Sequence, residues 1–151
     1  MRIMLIAFAL VAAYALSAAE PDTLAETARA QYEAGNYAAA AARFQQAVEK
    51  SPRNPQLHQW LGRSYGRLAE TVDWLEAWTL AIKARTCFEQ ATSLAPNDPD
   101  ILSDLMKFYA KAPTLVGGSM SKARQLASRM AALDPRQGLK ARNWLAANAG
   151  S

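Results

Sequence analysis

The chain has 151 residues, of which 17 are Lys or Arg and 13 are Asp or Glu, giving a net charge of +4 at pH 7. It contains one histidine and one cysteine, which excludes an intramolecular disulfide and a metal site built from several such ligands. Polar groups do not cluster in a catalytic motif, so the sequence predicts no enzymatic activity, cofactor or metal. The modest charge and the lack of a groove-reading motif argue against a nucleic-acid partner.

The first 19 residues have the pattern of a cleavable signal peptide. Arg2 supplies a cation, residues 3–16 are apolar, and Ser17, Ala18 and Ala19 are small. This apolar run is shorter than the roughly 20 residues that a membrane-spanning helix needs. We therefore expect cleavage after Ala19, a periplasmic or secreted location, and no stable membrane insertion of the mature chain. An uncleaved membrane anchor is the alternative.

After residue 20 the apolar residues recur at helical spacing, without the alternation of a β-strand, which predicts an all-α domain over residues 20–148. Three alanine-rich segments end at Pro52, Pro96 and Pro135, which lie 44 and 39 residues apart. Self-similarity at such a period is typical of a solenoid, in which each repeat buries its apolar face against its neighbours.

The residues of these segments resemble the tetratricopeptide repeat, whose usual period is 34 residues. The second segment carries the resemblance in Leu61, Gly62, Tyr65, Ala84, Phe88, Ala91 and Pro96; the first carries it in Gly35, Asn36, Tyr37, Ala40, Phe44, Ala47 and Pro52. The resemblance implies a right-handed α-solenoid of three antiparallel helix pairs followed by a capping helix. The predicted repeats span about residues 21–54, 55–98 and 99–137, and the capping helix spans about residues 138–148.

Several local signals place the helix ends. Gly35-Asn36 predicts the turn inside the first repeat, and Asn54-Pro55 and Asp98-Pro99 predict the starts of the next two repeats. The second repeat has ten extra residues, which predict longer helices and a turn near residues 69–73. In the third repeat, Pro113 ends a helix, Gly117-Gly118 turns the chain, and Ser119 or Ser121 caps the next helix. This last turn resembles turns of secreted bacterial tetratricopeptide proteins.

In the resembled family, the first helices of successive repeats line a concave groove that binds an extended or helical peptide. The resemblance therefore implies a protein or peptide partner, and the cationic side chains favour an acidic one. By register, the predicted groove residues are Arg29, Tyr32, Gln59, Arg63, Arg67, Lys107 and Lys111.

Trp74 and Trp78, one helical turn apart, are predicted to pack in the core, with an exposed binding strip as the alternative. Glu70, Asp73 and Glu76 recur every three residues and are interpreted as the solvated face of a helix. The capping helix is predicted to place Leu139, Trp144 and Leu145 on one side.

The favoured function is a non-catalytic scaffold that binds a protein through the basic groove. One alternative is a structural subunit of a cell-envelope complex that docks through the edges of the solenoid. Another is an envelope hydrolase or small-ligand binder that uses the three acids. The sequence leaves the oligomeric state open.

Overall fold

The computed structural model of the protein describes residues 21–148, so the predicted signal peptide lies outside the described residues. Within this range the chain is helical and has no β-strand, which confirms the predicted all-α class. No helix in the range is long and apolar enough to cross a membrane. The helices are α1 Pro21–Glu33, α2 Tyr37–Lys50, α3 Pro55–Ala69, α4 Trp74–Leu94, α5 Pro99–Lys111, α6 Met120–Leu133 and α7 Pro135–Asn148, with a short 3₁₀ turn at Thr114–Val116.

The predicted helix starts are confirmed by their capping hydrogen bonds. The Asn54 carboxamide oxygen accepts hydrogen bonds from the backbone N–H of Gln56 and Leu57 at 3.0 and 3.4 Å, before Pro55 in the first turn of α3. Asp98 caps α5 in the same way. At α6 the Ser119 hydroxyl accepts a hydrogen bond from the backbone N–H of Lys122 at 3.3 Å. These side chains satisfy backbone donors that a helix start leaves without partners.

The turns also fall where the sequence places them. Gly35 has a φ of 80° and Gly117 a φ of 99°, in the left-handed region that glycine enters without steric cost. In the second repeat, α3 ends at Ala69 and α4 begins at Trp74 after the capping residue Asp73. The turn predicted near residues 69–73 is therefore confirmed, and much of the insertion extends α4 to 21 residues.

The capping helix α7 begins at Pro135, three residues before the predicted start at Gly138. The Asp134 carboxylate accepts a hydrogen bond from the backbone N–H of Arg136 at 2.8 Å, as in the earlier Asx-Pro starts. The predicted apolar side is wrong in part, because Leu139 is 54% exposed. The buried residues of α7 are Gly138, Ala141 and Leu145.

The helices stack in the order expected for a solenoid. Each helix contacts the next one along the chain, and the first helices of successive repeats also contact each other, α1 with α3, α3 with α5 and α5 with α7. These contacts bring α1, α3 and α5 side by side.

The core consists of two clusters that meet at α4. The N-terminal cluster includes Phe44, Leu57 and Cys87, and the C-terminal cluster includes Phe88 and Met106. Burial raises the pKa of the Cys87 thiol from 9.0 to about 11, so the thiol stays protonated at neutral pH. The cysteine thus acts as a small apolar core residue.

Gly62 is a point of close approach between α3 and α4 in the second repeat. A Cβ atom at this position would lie 2.8 Å from a ring carbon of Phe88, which is only 6% exposed. Gly66, one turn later on α3, has no atom within 4 Å of an added Cβ. The two glycines therefore differ in packing while sharing a helix.

We expect Gly62→Ala to lower the free energy of unfolding by about 1–3 kcal/mol, because the buried Phe88 ring has to move. The matched control Gly66→Ala should instead raise it by about 0.5–1 kcal/mol through the intrinsic preference of helices for alanine. Urea denaturation followed by circular dichroism measures both values. Equal stabilisation by the two substitutions would contradict the helix pairing.

Candidate protein-binding groove

The row of first helices borders a cleft of about 480 Å³, which we call the groove. Its lining combines cations, acids and apolar side chains from α1, α3, α4 and α5. The lining residues are Tyr32, Arg63, Gly66, Arg67, Ala69, Glu70, Ala81, Phe88, Asp104, Lys107, Phe108, Lys111, Ala112 and Pro113.

Five of the seven residues predicted for the groove line this cleft, namely Tyr32, Arg63, Arg67, Lys107 and Lys111. The other two lie elsewhere. Arg29 is exposed next to the groove, with its guanidinium carbon 5.3 Å from the centre of the Trp60 ring. Gln59 is 5% exposed and does not line the cleft, so its predicted place on the groove surface is wrong.

An acid that the sequence analysis did not include, Asp104, explains the burial of Gln59. Its Oδ2 atom accepts a hydrogen bond from Nε2 of Gln59 at 2.8 Å and one from Nε of Arg63 at 2.6 Å. Asp104 lies 44 residues after Trp60, which is the spacing of the repeats. The register that predicts Lys107 as a groove residue also places Asp104 beside the groove, one turn earlier on α5. The sequence alone could therefore have identified Asp104.

Arg67 is held by two neighbours. Its Nη2 and Nε atoms donate hydrogen bonds to the Tyr37 hydroxyl at 3.1 and 3.3 Å, and its Nη1 atom pairs with Glu70. The hydrogen bond to Tyr37, followed by the charge of Glu70, raises the pKa of Arg67. The guanidinium is exposed, so this local pairing orients it more than it stabilises the fold.

The two lysines of α5 have no acidic partner among residues 21–148. Instead, Nζ of Lys107 lies 5.9 Å and Nζ of Lys111 lies 5.6 Å from the centre of the Trp144 ring. A cation over an aromatic face is attracted by the ring but keeps its charge and its hydrogen-bond donors. Lys107 and Lys111 are therefore oriented beside the groove and remain available to an anionic ligand.

Four cations and two acids line the groove, so the net charge of its lining is positive. Asp104 and Glu70 each pair with one arginine, whereas the two lysines keep an uncompensated charge. Tyr32 of α1 also lines the groove, and burial raises the pKa of its hydroxyl despite the opposing charges of Arg67 and Arg63. Tyr32 is therefore a neutral hydrogen-bonding group at neutral pH.

The prediction that Trp74 and Trp78 pack in the core is wrong. Trp74 is 76% exposed and Trp78 is 37% exposed, and the first buried residue of α4 is Leu80. The lengthened helix carries its first turns past the end of its partner, so these side chains have no neighbouring helix to bury them. The alternative interpretation, an exposed aromatic strip, describes the structure.

The three acids do not form one helix face, because the turn between α3 and α4 separates them. Glu70 pairs with Arg67, and the Asp73 carboxylate accepts the backbone N–H of Leu75 and Glu76 as the cap of α4. Over residues 21–148 no group of three or more His, Cys, Asp or Glu residues is arranged to hold a metal ion. The arrangement offers no converging set of acids for the hydrolase alternative.

We expect Asp104→Ala to lower the free energy of unfolding by about 1–3 kcal/mol, because it leaves the amide of the buried Gln59 without its acceptor. Asp104→Asn keeps an oxygen at this position and should cost less. Thermal or urea denaturation compares the two variants. If both variants are as stable as the parent, the shared hydrogen-bond network is not formed.

A comparison with protein-family models agrees with the repeated helix pairs of the structure. Residues 28–68, which include the whole of α2 and most of α3, match the family model of the TPR repeat. A search of curated proteins finds no match to the chain. The matched segment supports the tetratricopeptide family and contains Tyr32, Arg63 and Arg67 of the groove.

Proposed function

We propose that the protein is a non-catalytic scaffold that binds an acidic segment of another protein in the groove. TPR repeats commonly mediate protein–protein interactions, and solenoids of this kind bind their partners on extended concave surfaces. The observation that carries the proposal is the pair Lys107 and Lys111, two oriented cations without an acidic partner at the edge of a formed cleft.

The groove also supports a partner with apolar side chains between its acids. Phe88, Phe108 and Pro113 contribute apolar surface to the lining. A peptide with carboxylates beside the lysines and an apolar side chain against these rings would match both kinds of surface. Charge would then control the rate of encounter, and apolar contact would control dissociation.

We expect Lys107→Glu combined with Lys111→Glu to abolish capture of an acidic peptide, because two attractive charges become repulsive. Neither lysine forms an ion pair within the described residues, so the variant loses the contacts of both lysines with the Trp144 ring but should stay folded. The matched control reverses two other charges, with Arg43→Glu and Arg53→Glu. Arg43 lies on α2 and Arg53 in the turn after α2; both are exposed, and neither lines the groove. Fluorescence anisotropy with a labelled Glu-rich peptide at low and physiological salt measures the affinities.

Wild-type affinity should fall as salt increases, since the attraction is screened. A folded double variant that binds the peptide as tightly as the control would refute the groove as the binding site.

We also propose that the chain is exported with removal of its first 19 residues. The support is the sequence pattern alone, a cation at Arg2, an apolar run and small residues up to Ala19. N-terminal sequencing of the protein from cell envelope or medium should begin at Glu20. Recovery of a chain that retains Met1 in the membrane fraction would instead identify an anchored protein.

A structural role in an envelope complex is favoured by a different observation. The exposed aromatic strip at the start of α4 lies outside the groove, so a scaffold with a bound peptide still has a second surface for assembly.

A further inference from the structure

Gly66 on α3 is the one glycine among residues 21–148 that the fold does not require. Its φ angle is not positive, and no atom lies within 4 Å of a Cβ added to it. The other glycines of this range have either a positive φ angle or too little space for a side chain; they are Gly35, Gly62, Gly117, Gly118 and Gly138. A glycine inside a helix is less favourable than an alanine. The packing of the chain therefore gives no reason for a glycine at residue 66.

The open space beside Gly66 belongs to the groove. Gly66 is half-buried and lines the cleft of about 480 Å³. Tyr32 of α1 lines the same cleft and has the equivalent position, because each of the two residues lies eleven residues after the proline that opens its helix. The first repeat thus supplies an aromatic side chain at a position where the second repeat supplies only backbone.

The surface around this space is largely apolar. The uncharged lining that surrounds Gly66 comes from α3, α4, α5 and the segment after α5; it consists of Ala69, Ala81, Phe88, Phe108, Ala112 and Pro113. The ring centres of Phe88 and Phe108 lie 6.1 Å apart, and Phe108 is only half-buried. An apolar side chain that entered the cleft would remove this surface from water, which favours binding.

The charges beside the space indicate which kind of molecule supplies that side chain. Lys107 is followed by Phe108 and Lys111 by Ala112, and all four residues line the cleft. Cations and apolar surface therefore alternate along α5, and neither lysine has an acidic partner among residues 21–148. A peptide segment with carboxylates on both sides of one apolar residue complements this pattern, whereas an uncharged apolar ligand would leave both lysines unused.

We propose that the space beside Gly66 receives one large apolar side chain, phenylalanine or leucine, of the acidic segment that binds in the groove. This inference rests on the proposed function and adds the residue that sets the partner's specificity. The carboxylates that flank the apolar residue contact Lys107 and Lys111. An apolar side chain that fills a pocket usually contributes much of the binding energy of an interface, so the missing side chain of Gly66 selects large anchors over small ones.

Three labelled Glu-rich peptides that differ only in one central residue, Phe, Leu or Ala, test the proposal by fluorescence anisotropy. The wild type should bind the Phe and Leu peptides at least about tenfold more tightly than the Ala peptide, because only these two bury a large apolar side chain. Higher salt should weaken all three complexes and leave the ratio of their affinities unchanged, since salt screens charge and not apolar contact.

Gly66→Leu fills the space with a side chain of the protein itself. The variant should melt at or above the temperature of the parent, because the site is open and leucine favours a helix more than glycine does. Its affinity for the Phe and Leu peptides should fall at least about tenfold, to that of the Ala peptide, whose own affinity should hardly change. The matched control Ala42→Leu adds the same side chain at an exposed position of α2 outside the groove and should bind all three peptides as the wild type does.

Three results would overturn the anchor. They are equal affinities of the wild type for the three peptides, an equal loss of all three with Gly66→Leu, and a melting temperature of Gly66→Leu well below that of the parent, which would show that the space is already filled. In each case, loss of binding by the variant with Lys107→Glu and Lys111→Glu would leave the proposed function intact. If this double variant binds the peptides as tightly as the wild type, the proposed function fails, and the anchor fails with it.

Discussion

The close approach of α3 and α4 at Gly62 is the contact on which the rest of the fold depends. This close approach lets two neighbouring residues of α4 pack in different clusters. Phe88 packs in the C-terminal cluster, and Cys87 packs in the N-terminal cluster. One helix thereby joins two cores that would otherwise be separate. No helix pair of a solenoid has a sufficient core of its own. A helix shared between two cores therefore couples the folding of the neighbouring repeats.

The groove depends on a second constraint, the network around Asp104. This acid joins α5 to α3 through Arg63 and the buried Gln59, so the relative placement of the two helices is tied to side-chain hydrogen bonds. The same network removes one cation from the surface available to a ligand. Lys107 and Lys111, which are oriented by an aromatic ring and lack a carboxylate partner among the described residues, are then the groove cations that the proposed acidic ligand would meet.

The sequence predicted the helix ends well because their causes are local. A capping side chain such as Asn54 or Asp98 acts on backbone groups within three residues, and a glycine such as Gly35 acts on its own φ angle. Pro135 shows the limit of this reasoning. It was interpreted as the end of a helix by analogy with Pro52 and Pro96, although Asp134 before it also carries the signal of a helix start.

The site was predicted less completely because exposure depends on neighbours that are distant in sequence. The apolar spacing of Trp74 and Trp78 is the same whether or not another helix covers them, and only the length of α4 relative to α3 decides that they are exposed. For Gln59 the error is the opposite one: its register placed it on the groove surface, but an acid 45 residues away accepts a hydrogen bond from its amide in the interior.

The exposed ends of this molecule follow from the same physics as its interior. Every internal helix of a solenoid is covered on both sides, whereas the end helices and any overlong helix present a face that was selected to pack. In α7 this face is part apolar, with Leu145 at the floor of a cleft, and part charged through Arg142. The charge of Arg142 therefore gives this outer face a polar surface, as the terminal repeat of a solenoid requires.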